Sequence, residues 1–179
     1  MVPGNESVRL LNQRGHNVFH IRKANRADTA DTWTVRCEAI RHQCPSSYSN
    51  EQIRIWTSGT FTQSYENDVE DHFHVLVSDE RIIGTGMVDL TSGKIDAIFV
   101  LPHYMGQGAA RQMLEHLETL AVQADLDYLH LDATLNAAPF YRKCGFVGEK
   151  VSTYHSPRGL TLDCIPMYKM LRPTGDIPR

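Results

Sequence analysis

Hydrophobic positions in this chain repeat at two spacings, every second residue in some stretches and every three to four in others, which separates strands from helices. Residues 18–23, VFHIRK, form a short β-like run, and residues 25–28 carry helix-cap chemistry. A helix is predicted over 31–44, with Trp33, Cys37, Ile40 and Cys44 on its inner side, and Pro45 ends it. Ser49, followed three residues later by Gln52, is a capping box that starts a second helix through Ile53 and Trp56, stopped by Gly59. Residues 60–71 are polar with Phe61 and Tyr65 embedded and have room for one more helical turn. Residues 72–78 and 81–90 are strand-like and joined by Asp79-Glu80, which predicts a hairpin. Thr91-Ser92-Gly93 then turns the chain into a third antiparallel strand, the apolar run over 95–101.

The widest helical stripe follows: Ala110, Met113, Leu114, Leu117, Leu120, Ala121 and Ala124 share one face. Between that helix and the preceding strand lie Pro102, which cannot donate to a ladder, and Gly106 and Gly108. Residues 128–133 alternate as a strand, 137–144 read as a short helix, and Gly145 suits its left-handed end. Two last β runs, 146–155 and 160–171, flank the turn Ser156-Pro157-Arg158-Gly159. The order is β-α-α-β-β-β-α-β-α-β-β. Strands are consecutive before the glycine turn and alternate with helices after it, so the expected class is α/β (α+β): a mixed, mostly antiparallel central sheet flanked by helices. A single domain over 18–171 is expected, after a flexible leader at 1–17 and before a tail at 172–179.

Composition narrows the partners. With 179 residues and 41% hydrophobic content the chain can build one sizeable core. A net charge of −3, with Lys and Arg scattered, argues against nucleic acid. No apolar run approaches the roughly 20 residues that span a bilayer, and the first twenty residues lack an apolar core, so a soluble cytoplasmic protein without a membrane partner is expected. Cys37, Cys44, Cys144 and Cys164 form no C-x-x-C pair, which fits free thiols in a reducing compartment. His72 and His74 would share a strand face, but with no further ligand nearby no metal site is expected.

The chemistry concentrates where strand, glycine turn and helix meet. Glycines leave the first amides of a helix open, the helix dipole favours an anion there, and Arg111 adds a positive charge, so a phosphorylated cofactor is expected. A dinucleotide fingerprint needs a small residue at the position of Arg111, and a P-loop needs Gly-Lys-Ser/Thr; neither is present, which leaves a Rossmann reading a distant third. The stretch resembles motif A of the GNAT superfamily of acetyl-CoA-dependent N-acetyltransferases: Val100 and Pro102 end the strand, Gly108 takes the fourth motif position and Ala110 the sixth, and the segment 47–52, SYSNEQ, before Trp56 resembles a bacterial branch of the same superfamily. Met105 stands where that family usually has Gln or Arg. The segment 137–146, AAPFYRKCGF, resembles motif B of the same superfamily at Ala137, Tyr141, Gly145 and Phe146.

That resemblance implies acetyl transfer from acetyl-CoA, without a metal, to a primary amine of a small molecule by direct attack in a ternary complex. It implies a coenzyme cradle from Ile98, Phe99, Val100, Met105, Gly106, Gln107, Gly108, Ala109, Ala110 and Arg111, with Thr134 and Asn136 near the pantetheine arm. The family often has Asn where Thr134 stands. It implies Tyr141 as the acid that protonates the departing thiolate and Asp96 as the base for the amine, with Asp89, Asp163, His74 and His155 as weaker candidates. A backbone N–H near Phe99 or Val100 would polarise the thioester carbonyl. The off-pattern Met105 and Thr134 favour the alternative of a non-catalytic acyl-CoA-binding sensor. Segments 48–56 and 152–163 would wall the acceptor pocket, where Tyr48, Trp56 and Tyr154 favour an aromatic or partly apolar amine. Exposed sheet edges allow a homodimer.

Overall fold

The computed structural model describes residues 19–156 and 159–172. The expected leader at 1–17, the centre of the 156–159 turn and the tail beyond 172 lie outside the described residues. Seven strands form one sheet: β1 (His20–Lys23), β2 (Phe73–Ser78), β3 (Arg81–Asp89), β4 (Lys94–Val100), β5 (Tyr128–Thr134), β6 (Ser152–His155) and β7 (Thr161–Met170). Their order across it is β1-β2-β3-β4-β5-β7-β6, antiparallel throughout except between β4 and β5. The helices are α1 (Thr29–Gln43), α2 (Asn50–Trp56), α3 (Gln63–His72), α4 (Ala109–Gln123) and α5 (Ala138–Lys143). This is the mixed, mostly antiparallel sheet that the element order predicts.

The sheet is the middle of three layers. Phe73 packs edge-on against Tyr65 of α3, while its neighbour His74 meets His116 of α4 edge to face. Consecutive side chains leave a strand on opposite faces, so α3 and α4 cover opposite sides of the sheet. α1 joins the layer of α3, with the Trp33 ring 5.2 Å from that of Tyr65 and the Tyr65 hydroxyl 3.3 Å from Thr32. On the other face Met113, Leu114, Leu117 and Ala121 of α4 are buried; removing each of the three large side chains from water is worth about 1.5–3 kcal/mol. Gly86 of β3 lets α4 come this close, because a Cβ there would meet Met113 and Leu117.

Four expectations need correction. A full helix, α3, occupies the segment read as one turn; Thr62 caps it through the Tyr65 N–H, and Tyr65 and Val69 form its narrow inner stripe. His72 ends that helix instead of opening β2, so it shares no strand face with His74. Trp33 is half-buried at the flank of α1, under the Arg36 guanidinium, while Thr32, Val35, Ala39 and Ile40 point inward. The run at 146–151 is not a strand beyond a single bridge between Val147 and Tyr168. Pro166 of β7 has no N–H to pair there, and Gly148 lies so close to the Pro166 carbonyl that it has no space for a side chain.

Candidate active site

β4 and β5 run parallel but pair only at Lys94 and His130, beside a hydrogen bond from the His130 N–H to the Gly93 carbonyl at 3.0 Å. From there the strands diverge. On its other edge β4 pairs with β3 out to Val100, but Met87 lies opposite Ala97 and Val88 opposite Ile95, so Asp96 is the extra residue of a β-bulge. The Leu101 N–H donates to the Ile83 carbonyl, which fixes the alternation: Phe99 and Leu101 direct their main chain at β3, and Ile98 and Val100 direct theirs into the gap. Of the two residues expected to offer an N–H, Val100 does so by geometry and Phe99 does not.

The gap opens into a cleft of about 260 Å³ between the sheet and the α1, α2 and α3 layer. Asp96, Ile98, Phe99, Thr134, Asn136 and Tyr141 all line it. Val100 instead turns its side chain into the core, 5% exposed. Met105 also lies outside the lining, packed on the core and accepting a hydrogen bond at its sulfur from Gln43 Nε2 of α1 at 3.2 Å. The strand ends there, and a 3-10 turn, Pro102–Tyr104, leads into Met105 to Gly108 and the start of α4. Gly106 and Gly108 have φ of 74° and 86°, the left-handed region that favours glycine. A Cβ on Gly106 would meet nothing within 4 Å, so the turn is open outward. No acidic residue lies in the first turn of α4 and, among the described residues, no side chain caps it, while its first N–H groups have no intrahelical partners. Gln107 donates to the His103 carbonyl, Ala109 is buried, and Ala110 and Arg111 are half-buried beside the turn.

Tyr141 sits on α5 in edge-to-face contact with Phe140 and Phe146 and is 7% exposed. Burial, and then the neighbouring Cys144, push its phenol well above the usual tyrosine range. Its hydroxyl makes no hydrogen bond among the described residues, although it faces the cleft. Burial pushes the Cys44 thiol up to about 11 against a smaller lowering effect of Asn136, whose Oδ1 is buried without a partner among the described residues. Thr134 lies on β5 opposite Cys164 of β7. Asp96 is more than half exposed, with Lys94 Nζ 3.6 Å away.

The weaker base candidates separate. Asp163 lines the cleft. His74 faces α4 on the other side of the sheet, Asp89 holds the Thr91 N–H and Ser92 hydroxyl in the turn, and exposed His155 pairs with Thr161 on the β6 edge. Tyr48 is a strut as well as a wall: its hydroxyl donates to the Asp163 carbonyl at 2.7 Å and accepts from the Leu135 N–H at 3.0 Å. Asp68 of α3 lines the cleft and was not among the candidates. Burial raises its carboxyl above the ordinary range, His72 opposes the shift, and the charges of Asp96 and Asp71 add to it.

A diverging parallel strand pair above a glycine-opened helix start, with a buried tyrosine between, defines an acyltransferase-type fold. The family profile described as an acetyltransferase (GNAT) domain matches residues 44–168, and the chain belongs to that family. A GCN5-related N-acetyltransferase from Rhodopseudomonas palustris superposes with a TM-score of 0.79 at 23% identity, over 87% of this chain and 97% of its own. The PaiA N-acetyltransferase of Thermoplasma acidophilum, solved with coenzyme A, gives 0.66 at 19% identity, over 86% and 99%. The ribosomal-protein-S18-alanine N-acetyltransferase of Escherichia coli gives 0.65 at 16%, over 90% and 99%. No curated protein sequence matches the chain.

Proposed function

We propose that the protein transfers the acetyl group of acetyl-CoA to a primary amine of a small molecule, by direct attack of the amine within a ternary complex. The observation that carries this reading is the splay of β4 from β5 beside Tyr141, a buried residue whose hydroxyl has no hydrogen-bond partner among the described residues and lines the cleft. The chain also has what a coenzyme of this shape needs: the open start of α4 for the pyrophosphate, and the partnerless Asn136 Oδ1 with the inward main chain of Ile98 and Val100 for the pantetheine amides. The PaiA neighbour, solved with coenzyme A, has the same fold and supports acyl-CoA use. Acetyl-CoA, when bound, supplies an activated acetyl thioester.

The remaining chemistry falls to side and main chain. Asp96, freed from the ladder by its bulge, takes the proton of the attacking amine through water, which is why it needs exposure and not burial. The Val100 N–H polarises the carbonyl oxygen. Tyr141 keeps its proton at every physiological pH and delivers it to the leaving sulfur; the burial that weakens the phenol as an acid equally strengthens a thiolate formed beside it as a base. Met105, off the family pattern, fills its position by packing under Gln43, and the main-chain cradle needs no side chain from it.

The reading predicts that calorimetry detects acetyl-CoA binding, and that thiol release in the presence of amines depends on the amine. Binding without any amine-dependent thiol release across a broad panel would assign the chain to the sensor alternative.

A further inference from the structure

We propose that Tyr48 is a positioning residue: its hydroxyl is built into the sheet as a spacer between β5 and β7, and it sets where Asn136 and Tyr141 stand in the cleft. The inference rests on the acetyl-transfer reading, in which those two residues serve the pantetheine arm and the leaving sulfur. The β5–β7 ladder shows what belongs at its end. Tyr128 lies opposite Met170 and Thr134 opposite Cys164, and the Leu171 N–H donates to the Asp127 carbonyl at 2.8 Å. Hydrogen-bonded pairs recur at every second position of an antiparallel ladder, so they fall at Leu129 and Lys169, Leu131 and Met167, Ala133 and Ile165, and next at Leu135 and Asp163. Pro166 agrees with this register, because opposite Asp132 no N–H is asked of it toward β5. The direct rung from Leu135 to Asp163 is replaced. The Leu135 N–H donates to the Tyr48 hydroxyl at 3.0 Å, and that hydroxyl donates to the Asp163 carbonyl at 2.7 Å. Two bonds meeting at a hydroxyl hold the main-chain groups about 4.5 Å apart, where a direct bond would hold them at about 2.9 Å.

The spacer acts on the site through one turn. Leu135 and Asn136 are the central residues of a turn closed by the Ala137 N–H on the Thr134 carbonyl at 3.0 Å. The Ala137 carbonyl in turn accepts from the Phe140 N–H at 2.9 Å and the Tyr141 N–H at 3.3 Å, so Tyr141 hangs from the same turn by a main-chain bond. Asn136 and Tyr141 both line the cleft. Tyr48 is itself firmly held. It is 7% exposed, its ring packs edge to face on Trp56 with centroids 5.7 Å apart, and its N–H donates to the Cys44 carbonyl at 3.0 Å. Without the hydroxyl, the Leu135 N–H and the Asp163 carbonyl would be left buried and unpaired unless the rung closed directly. Closure would draw the turn toward β7 and away from β4 by about 1.5 Å, and a misplacement on the order of 1 Å is enough to disturb catalysis severely.

The test begins with the crystal structure of Tyr48→Phe, which keeps the ring and removes the hydroxyl. The Leu135 nitrogen and the Asp163 carbonyl oxygen are expected to close to a direct bond of about 2.9 Å. Calorimetry should then show coenzyme A binding about fivefold or more weakly to Tyr48→Phe, with the nucleotide half of coenzyme A, which lacks the pantetheine arm, bound within about twofold of wild type. Turnover, read as kcat, should fall about tenfold or more. Gln52→Ala is the control for a merely structural role, because it removes a neighbouring tether, the bond from Gln52 Nε2 to the Thr161 carbonyl at 3.1 Å, together with a cap bond of α2. It should lower Tm and leave coenzyme A affinity within about twofold of wild type. A turn that stays in place in Tyr48→Phe, an unchanged coenzyme A affinity once the rung has closed, or an equal loss of affinity in Gln52→Ala would overturn the inference. Wild-type protein that binds no coenzyme A would remove the acetyl-transfer reading instead, and the Leu135–Asp163 distance in Tyr48→Phe would still decide this one.

Discussion

His74 and His116 meet edge to face across the β2–α4 contact with ring centroids 4.8 Å apart, and His74 Nδ1 and His116 Nε2 are buried without partners among the described residues. Burial keeps both imidazoles neutral and lowers the pKa of His74 to about 4, with His116 and Lys23 adding to the effect. An unfolded histidine titrates near 6.5, so below that pH the unfolded chain takes up a proton that the folded chain refuses. Stability contributed by this site is therefore full above pH ~6.5 and lost as pH falls to about 4. Allowing for partial exposure, the loss is of order 1–2 kcal/mol. Urea unfolding at pH ~7 and ~5 should show it in the wild type and a flatter dependence in His74→Gln. An identical slope in both proteins would show that the pair does not titrate on unfolding. At this scale legibility was uneven. Tyr141 and Asp96 were readable as candidates from their motif positions, while Asn136 was reached only as the neighbour of Thr134, two residues past the motif's Asn position. Asp68 was not, because a polar residue in a polar segment gives no facing until the phase of its helix is known.

The elements illustrate why. α4 was plain in the sequence, since seven apolar positions share one face, and the capping box at Ser49 and Gln52 forms as its spacing predicts, with both reciprocal hydrogen bonds. α3 was nearly invisible, because two apolar side chains at Tyr65 and Val69 suffice to dock it once α1 and Phe73 are in place. Its stability comes from tertiary packing that local pattern cannot report. The bulge in β4 is a register property, and the residue it frees, Asp96, looks like any other strand position in the sequence. The β2–β3 hairpin was readable as a two-residue turn, but Asp79 and Glu80 both have positive φ, 47° and 63°. Such a turn prefers Asn-Gly. Replacing Asp79-Glu80 by Asn-Gly should stabilise the protein by about 1 kcal/mol, seen as a higher Tm in a thermal melt. A lower Tm would mean that the acidic side chains contribute more than the backbone conformation costs.

On the scale of the whole molecule the proposed coenzyme and acceptor sides differ in how they are built. The α4 turn and the β4–β5 gap come from one contiguous stretch of chain, 94–134, so sequence motifs reach them. The proposed acceptor side of the cleft draws on α1, α2, α3, β6 and β7, which are distant in sequence and meet only in the fold. The neighbours make the same point: they share the sheet at 16–23% identity, and one is named for a ribosomal-protein alanine as acceptor. No helix among the described residues is long and apolar enough to cross a membrane. The central claim concerns Tyr141, where coenzyme and acceptor sides meet, and one comparison tests it most directly: kcat and acetyl-CoA affinity of Tyr141→Phe against wild type. The account predicts that kcat falls by about 100-fold or more while the Kd for acetyl-CoA changes by less than about threefold, as expected for a proton donated only in the transition state. Unchanged turnover in Tyr141→Phe would contradict it.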